Sequence, residues 1–363
     1  MSSNNYIVSA LKYRPSEWDA VVGQKTITDT LQQAITTGQL AKAYLFCGPR
    51  GVGKTTIARI FAKSINQSID GQMQDYSYNI FELDAASNNS VDDIRNITDQ
   101  VRIPPQVGEY KVHIIDEVHM LSQSAFNAFL KTLEEPPKHA VFILATTEKH
   151  KIIPTILSRC QVYDFNRITI KDIADHLKMI AEKENVKAEY EALMIIAEKA
   201  DGALRDALSV FDQMVNFCNR DITYQAVVKN LNILDHEYFF KLTDYFVSND
   251  IHSSLLLFND ILINGFDGQL FLNGLGSHLR NLLVCKDAST LALLDCSDKV
   301  KEKYQQQSST LKSKDIISAI TIVGSADVNY KVSKNKRLHV ELALMKMCSL
   351  TESTEKKKPL IST

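Results

Sequence analysis

Residues 48–55 read Gly-Pro-Arg-Gly-Val-Gly-Lys-Thr, and no other stretch limits the possible folds so sharply. Glycine reaches backbone conformations closed to other residues, so successive N–H groups can turn inward around one anion. An apolar run, Tyr44–Cys47, precedes the loop, and an amphipathic stretch, TTIARIFAKSI, follows it. Strand, loop and helix in that order are the setting in which G-x-x-x-x-G-K-[ST] cradles phosphates, with the helix N-terminus adding positive potential. Gly48, Arg50, Gly51, Val52, Gly53, Lys54, Thr55 and Thr56 are therefore the nucleotide-binding candidates. Lys54 is expected to reach the β- and γ-phosphates, and Thr55 to place its hydroxyl on Mg²⁺.

A second constellation follows the strand-like run Lys111–Asp116. Asp116 and Glu117 are adjacent carboxylates at its C-terminal end, where open α/β sheets bind ligands. Asp116 is expected in the Mg²⁺ shell, and Glu117 as the base that orients and polarises an attacking water. The nearby His113 and His119 read as locally packed rather than metal-binding. Further on, Val141–Thr147 is another apolar run whose polar end is expected beside the strand carrying Asp116, where Thr146 or Thr147 could face the γ-phosphate or the water. Pro154–Cys160 reads as a short helix ending in Ser158 and Arg159. Arg205 reads equally well as a surface residue paired with Asp201 one helical turn away.

Two textures divide the chain. Up to about residue 166, short apolar runs (Tyr44–Cys47, Ile80–Asp84, Val112–Asp116, Val141–Thr147, Val162–Phe165) alternate with helical stretches. That pattern predicts a parallel sheet covered on both faces. From about residue 169 the strands are expected to stop. Thr169 caps one helix, Gly202 interrupts the next, Ala203–Phe217 supplies another, and Thr223 opens a short one ending near Asn232. After residue 235 come more uniformly apolar helices, and the tail from residue 351 is polar and expected to be disordered. The 363 residues favour two to three domains. Six scattered cysteines without a C-x-x-C pair argue for free thiols in a reducing compartment. The N-terminus lacks a signal-peptide core and no apolar run approaches 18 residues, so a cytoplasmic protein without a membrane span is expected. A net charge of −2 makes any nucleic-acid contact local.

YRPSEWDAVVGQ, GPRGVGKTT, ELDAASNNSVDDIR, IDEVHMLSQSAFNAFLKTLEEPP, ATTE, ILSRC and GALRDALS occur in that order. Together they closely resemble the gamma/tau motor subunits of the bacterial sliding-clamp loader, part of the DNA polymerase III holoenzyme. The resemblance runs from about residue 6 to about 350. It implies an AAA+ P-loop NTPase domain over residues 1–167, a helical lid over 168–232, an all-α collar over 233–350 and a tail over 351–363. It also implies ATP and Mg²⁺ as ligands. Carried over residue by residue, Thr147 resembles the first sensor and Arg205 the second, while Arg159 resembles an arginine finger acting on ATP in the adjoining subunit. Arg14 and the Val22-Gly23-Gln24 box resemble the segment lining the adenine. Arg95 and Lys131 resemble positions facing the DNA backbone, with Ser90 as a helix cap beside them.

The implied partners are delta- and delta-prime-type subunits, further copies of this chain, the sliding clamp and primed DNA held through its phosphates. The ring is expected to be pentameric. Two features depart from the family pattern. The interval Asn66–Asn79 carries none of the four cysteines of the usual zinc module, so zinc is not expected, and the sequence leaves open a paralogue with a narrower role than a housekeeping subunit. The chain stops at Thr363, which implies a short, gamma-like form. A protein-unfolding ring would need an aromatic pore loop, which Gln106-Val107-Gly108 lacks. A non-catalytic scaffold is disfavoured by the intact Lys54, Asp116, Glu117 and Arg159.

Overall fold

The computed structural model describes residues 7–66, 76–231, 233–294, 296 and 298–350. The expected tail over 351–363 and most of the cysteine-free interval lie outside these residues. The chain forms two units, Met1–Ile222 and Thr223–Thr363.

The first unit opens with α1 (Ser9–Lys12) and α2 (Lys25–Thr37), then alternates strands and helices. β1 (Ala43–Cys47), α3 (Lys54–Ser64), β2 (Ile80–Asp84), α4 (Val91–Val101), β3 (Lys111–Asp116), α5 (Gln123–Glu134), β4 (Ala140–Thr146), α6 (Pro154–Leu157) and β5 (Gln161–Asp164) follow one another. All five strands run parallel in the order β2-β3-β4-β1-β5. Successive side chains on a strand point to opposite faces, which splits the apolar runs between two cores. Ala43, Leu45 and Cys47 of β1 join Phe142 and Leu144 of β4 under α4, α5 and α6. Tyr44 and Phe46 join Val141 and Ile143 on the other face, under α2 and α3. Full burial of a side chain such as Leu45 is worth about 1.5–3 kcal/mol, so unbroken apolar strands are stable only with both faces covered. The edge strand β2 is partly exposed, so its apolar run is not a fully buried one.

The lid consists of α7 (Ile170–Lys183), α8 (Tyr190–Lys199) and α9 (Leu204–Phe217), joined by β6 (Lys187–Ala188) and β7 (Asp221–Ile222). The Thr169 hydroxyl accepts from the Asp172 N–H, capping α7 as its sequence position predicts. The expectation that strands cease after residue 169 is corrected by β6 and β7, which pair in parallel with Ala188 opposite Ile222. Two residues are too few to display a period of two, so no pattern marks them. Helix α1 holds the lid through Ser9, whose N–H and hydroxyl both donate to the Asp212 carboxylate.

The second unit is helical, with α10 (Tyr224–Asn230), α11 (His236–Val247), α12 (Ile251–Ile263), α13 (Gly268–Val284), α14 (Asp298–Thr310), α15 (Ser313–Tyr330) and α16 (Lys336–Cys348). Asp235, Asp250, Asp267 and Asn335 cap their helices with side-chain oxygens. Phe239, Phe258, Phe271, Leu275, Val340 and Leu344 form its core. His278 lies inside that core, within 3.1 Å of the Tyr304 hydroxyl, and burial pulls its pKa down to about 3.

Candidate functional site

Parallel register aligns the strand ends that matter. Cys47 stands opposite Thr146 on the neighbouring strand, and Asp84 opposite Asp116. The residues that follow Cys47, Asp116 and Thr146 therefore emerge along one edge of the sheet, where the sequence places the phosphate loop, the acidic pair and the threonines.

The loop is held by contacts only glycine permits. At Gly48 (φ +150°) an added Cβ would lie 2.5 Å from the Phe165 carbonyl oxygen. At Gly51 (φ +81°) it would meet the Ala203 Cβ at 3.0 Å, so the loop lies directly against the start of α9. The Arg205 N–H donates to the Gly51 carbonyl at 3.4 Å, which seats the lid helix on the loop. Val52 is buried, and Arg50 is exposed at the loop's outer turn.

Lys54, only 6% exposed, donates from Nζ to the Gly48 and Pro49 carbonyls, both at 2.8 Å. Burial lowers its pKa, while the charges of Glu117 and Asp116 oppose that shift. The ammonium is thus desolvated and held inside the loop by two weak neutral acceptors. A phosphate oxygen would bind it more strongly through a charge-assisted hydrogen bond. The Thr55 hydroxyl donates to Asp116 Oδ2 at 2.7 Å. A hydroxyl and a carboxylate oxygen in contact form a hard-oxygen donor set of the kind Mg²⁺ takes, so these residues fit that cation.

Glu117 adopts a left-handed backbone conformation (φ +49°) directly after β3. Its Oε2 accepts from the Thr147 N–H at 3.2 Å and from the Thr147 hydroxyl at 3.0 Å. Thr147 is therefore the threonine that meets the acidic pair. Thr146 is buried and turns instead to His119 Nδ1 at 3.0 Å. His119 also lies 3.3 Å from Glu117 Oε2 and, through Nε2, 3.3 Å from Glu148 Oε1. The D-E-x-H spacing alone gave no sign that this ring bridges two carboxylates. His113 packs as expected, stacked 5.1 Å from the Phe81 ring.

The remaining candidates divide by location. Arg14 reaches the loop helix, donating from Nε to the Thr56 hydroxyl at 3.2 Å. Its pKa is lowered by burial first and then by Arg59, with Arg205 also contributing. Gln24, beside the half-buried Val22 and Gly23, exchanges hydrogen bonds with the Asn166 backbone, at 2.6 and 3.3 Å. The alternative reading of Arg205, as a surface residue paired with Asp201, is not the contact that Asp201 makes. Arg167 takes that carboxylate, because Gly202 turns the chain at φ +79° and places the Arg167 side chain beside it. Arg159 is not brought to this chain's own loop. Its guanidinium donates to Glu134 Oε1 and to the Thr155 carbonyl, both at 2.7 Å. Arg95, on α4, is exposed and pairs with Asp92 at 3.2 Å, and Lys131 is exposed on the neighbouring α5. Ser90 caps α4 with a reciprocal box formed with Asp93.

No helix among the described residues is long and apolar enough to cross a membrane. Residues 23–169 match a family model described as DNA polymerase III, delta subunit. Residues 172–220 match the DNA polymerase III clamp loader subunit ATPase lid domain, and residues 222–361 match domain III of DNA polymerase III subunits gamma and tau. The chain is 38% identical to DNA polymerase III subunit tau of Bacillus subtilis, covering 94% of this chain and 63% of that protein. It is 31% identical to DNA polymerase III subunit gamma of Buchnera aphidicola subsp. Baizongia pistaciae, covering 95% of this chain and 98% of that one. Against the tau subunit of Escherichia coli K12 it is 33% identical but spans only 55% of the relative's length. Among solved structures, the RuvB Holliday junction branch migration motor of Thermotoga maritima shares the fold, with a TM-score of 0.50 at 23% identity, over 65% of this chain and 79% of that one.

Proposed function

The chain belongs to the DNA polymerase III gamma/tau subunit family, and on that footing we propose that it is the ATP-hydrolysing motor of a DNA sliding-clamp loader. One observation carries this reading. Lys54 in the phosphate loop, the Thr55–Asp116 pair at 2.7 Å and the Glu117–Thr147 pair at 3.0 Å share one edge of the sheet.

Lys54 exchanges its loop carbonyls for the β- and γ-phosphate oxygens of ATP, beside the N–H groups of Gly51, Val52 and Gly53. Thr55 and Asp116 would hold magnesium, which when bound neutralises charge on the phosphate oxygens. Glu117 orients the attacking water and takes its proton. Thr147 fixes the Glu117 carboxylate, and Arg205 reaches the γ-phosphate from the lid. Arg14 and Val22 line the adenine, with Arg50 and Thr56 completing the loop's surroundings.

Arg159 acts on ATP bound by the adjoining subunit. In P-loop enzymes such an arginine contributes on the order of 10³–10⁵ in rate, so the isolated chain turns over slowly. Residues 1–167, 168–232 and 233–350 divide the work into nucleotide domain, lid and collar, with α10, at the end of the lid so bounded, grouping with the second unit. The partners are delta- and delta-prime-type subunits, other copies of this chain, the clamp and primed DNA, in the cytoplasm. Arg95 and Lys131 contact DNA phosphates without reading sequence.

The test is ATP hydrolysis by the loader assembled with clamp and primed DNA. Lys54→Ala abolishes turnover. Arg159→Ala removes it only from the site on the neighbouring subunit, so mixing the two variants in one assembly restores part of the rate. Equal rates for wild type and Lys54→Ala would falsify the motor reading.

A further inference from the structure

All three contacts given to the Glu117 carboxylate fall on one oxygen. Oε2 accepts from the Thr147 N–H and hydroxyl and lies 3.3 Å from His119 Nδ1. The other oxygen, Oε1, is left to serve the water. Which oxygen does so depends on rotation about the Glu117 side-chain bonds, and Thr147 alone anchors that rotation from one side.

His119 is the remaining neighbour of Glu117 Oε2. Its ring is 6% exposed and wedged between three groups. Nδ1 faces Thr146 Oγ1 at 3.0 Å as well as Glu117, while Nε2 faces Glu148 Oε1 at 3.3 Å. The Thr146 hydroxyl in turn accepts the Glu148 N–H at 3.0 Å, which closes a loop around the ring. Glu148 is itself pinned: Lys151 Nζ donates to its Oε1 at 2.9 Å, and that contact is the chief reason its carboxyl stays below the usual range. A carboxylate held from outside by lysine thus flanks one end of an imidazole whose other end lies against Glu117 and the Thr146 hydroxyl.

We propose that His119, braced by Glu148, is a positioning residue that fixes the rotation of Glu117 so that Oε1 meets the attacking water. This rests on the reading of Glu117 as the base of an ATPase. The arrangement follows a general economy of active sites, in which a reacting group keeps its geometry only if a neighbour's own rotamer is locked. It also explains why a histidine occupies this turn. An aliphatic residue would fill the space but take the ring-nitrogen partner from the Thr146 hydroxyl and put no polar group beside Glu117 Oε2.

Misplacement of a reacting group by about 1 Å costs on the order of 10²-fold in rate. The test therefore measures kcat and KM for ATP separately, using the full chain assembled with the other loader subunits, clamp and primed DNA. His119→Ala is expected to lower kcat by about 10- to 100-fold with KM for ATP and the thermal midpoint little changed. His119→Asn, which restores a polar group on the Nδ1 side, is expected to recover most of kcat. Glu148→Ala is expected to lower kcat less, and to add nothing when combined with His119→Ala, because both changes remove one support. Unchanged kcat in His119→Ala, a rise in KM matching the fall in kcat/KM, or no recovery by His119→Asn overturns the proposal. Glu117→Gln is the control that separates the two levels. A wild type that turns over and a Glu117→Gln variant that does not leave the motor reading standing, whatever His119 does. A wild type with no turnover overturns both.

Discussion

His113 shows how a single side chain sets a pH limit. It is 2% exposed, lies between Phe81 and Phe142, and its Nε2 has no hydrogen-bond partner. Burial, together with Lys111 and His139, lowers its pKa from 6.5 to about 4. The sign follows directly. Below pH 6.5 the unfolded chain takes up a proton there that the native state refuses until about pH 4. Stability contributed by the neutral ring is therefore present above pH 6.5 and lost as pH falls toward 4, by about 3 kcal/mol in full. His113→Phe keeps the stacking and removes the titration. Its unfolding free energy relative to wild type is expected to rise by about that amount between pH 7 and pH 4, read from urea titrations. A constant difference across that range would refute the assignment.

Elements owe part of their stability to their ends. Helix α4 is fastened at both. The Asp93 N–H donates to the Ser90 hydroxyl at 3.2 Å and the Ser90 N–H to Asp93 Oδ2 at 3.1 Å. At the other end the buried Lys111 ammonium donates to the Gln100 carbonyl at 2.7 Å and the Ile103 carbonyl at 3.3 Å, answering carbonyls that the helix leaves open. Ser90→Ala removes the side-chain half of the box and is expected to cost about 1 kcal/mol, seen as a lower urea midpoint with unchanged slope. An identical midpoint would mean that water caps α4 equally well. The cap was readable because Ser90 and Asp93 lie three residues apart. The lysine was not, since it comes from a strand ten residues beyond the helix.

At the scale of the molecule, the helical second unit carries its own core. Phe239, Phe258, Phe271, Leu272, Leu275 and Leu344 are each no more than 3% exposed and belong to one cluster drawn from α11, α12, α13 and α16. Buried apolar area is the chief stabilising term in folding, so a cluster closed within one segment supports independent folding. A fragment covering residues 223–350 is expected to be helical by circular dichroism and to melt cooperatively. A gradual, non-cooperative melt would show that the first unit is needed to hold it.

The phosphate loop, the acidic pair, the five long strands and the caps Thr169, Ser90 and Thr223 were all legible along the chain. Each depends on neighbours a few residues apart: glycine spacing, a short continuous apolar run, or a hydroxyl just before a helix. That the polar end of Val141–Thr147 would lie beside the strand carrying Asp116 was expected, and β4 does pair with β3. The rest of the strand order was not so legible, nor was the pairing of Thr147 rather than Thr146 with Glu117 across thirty positions. Nor was the choice of Arg167 over Arg205 as the partner of Asp201, or the ring of contacts around His119. Those outcomes rest on which distant groups packing brings within about 3 Å. Several pairings of similar energy compete for each polar group, and local preference cannot rank them.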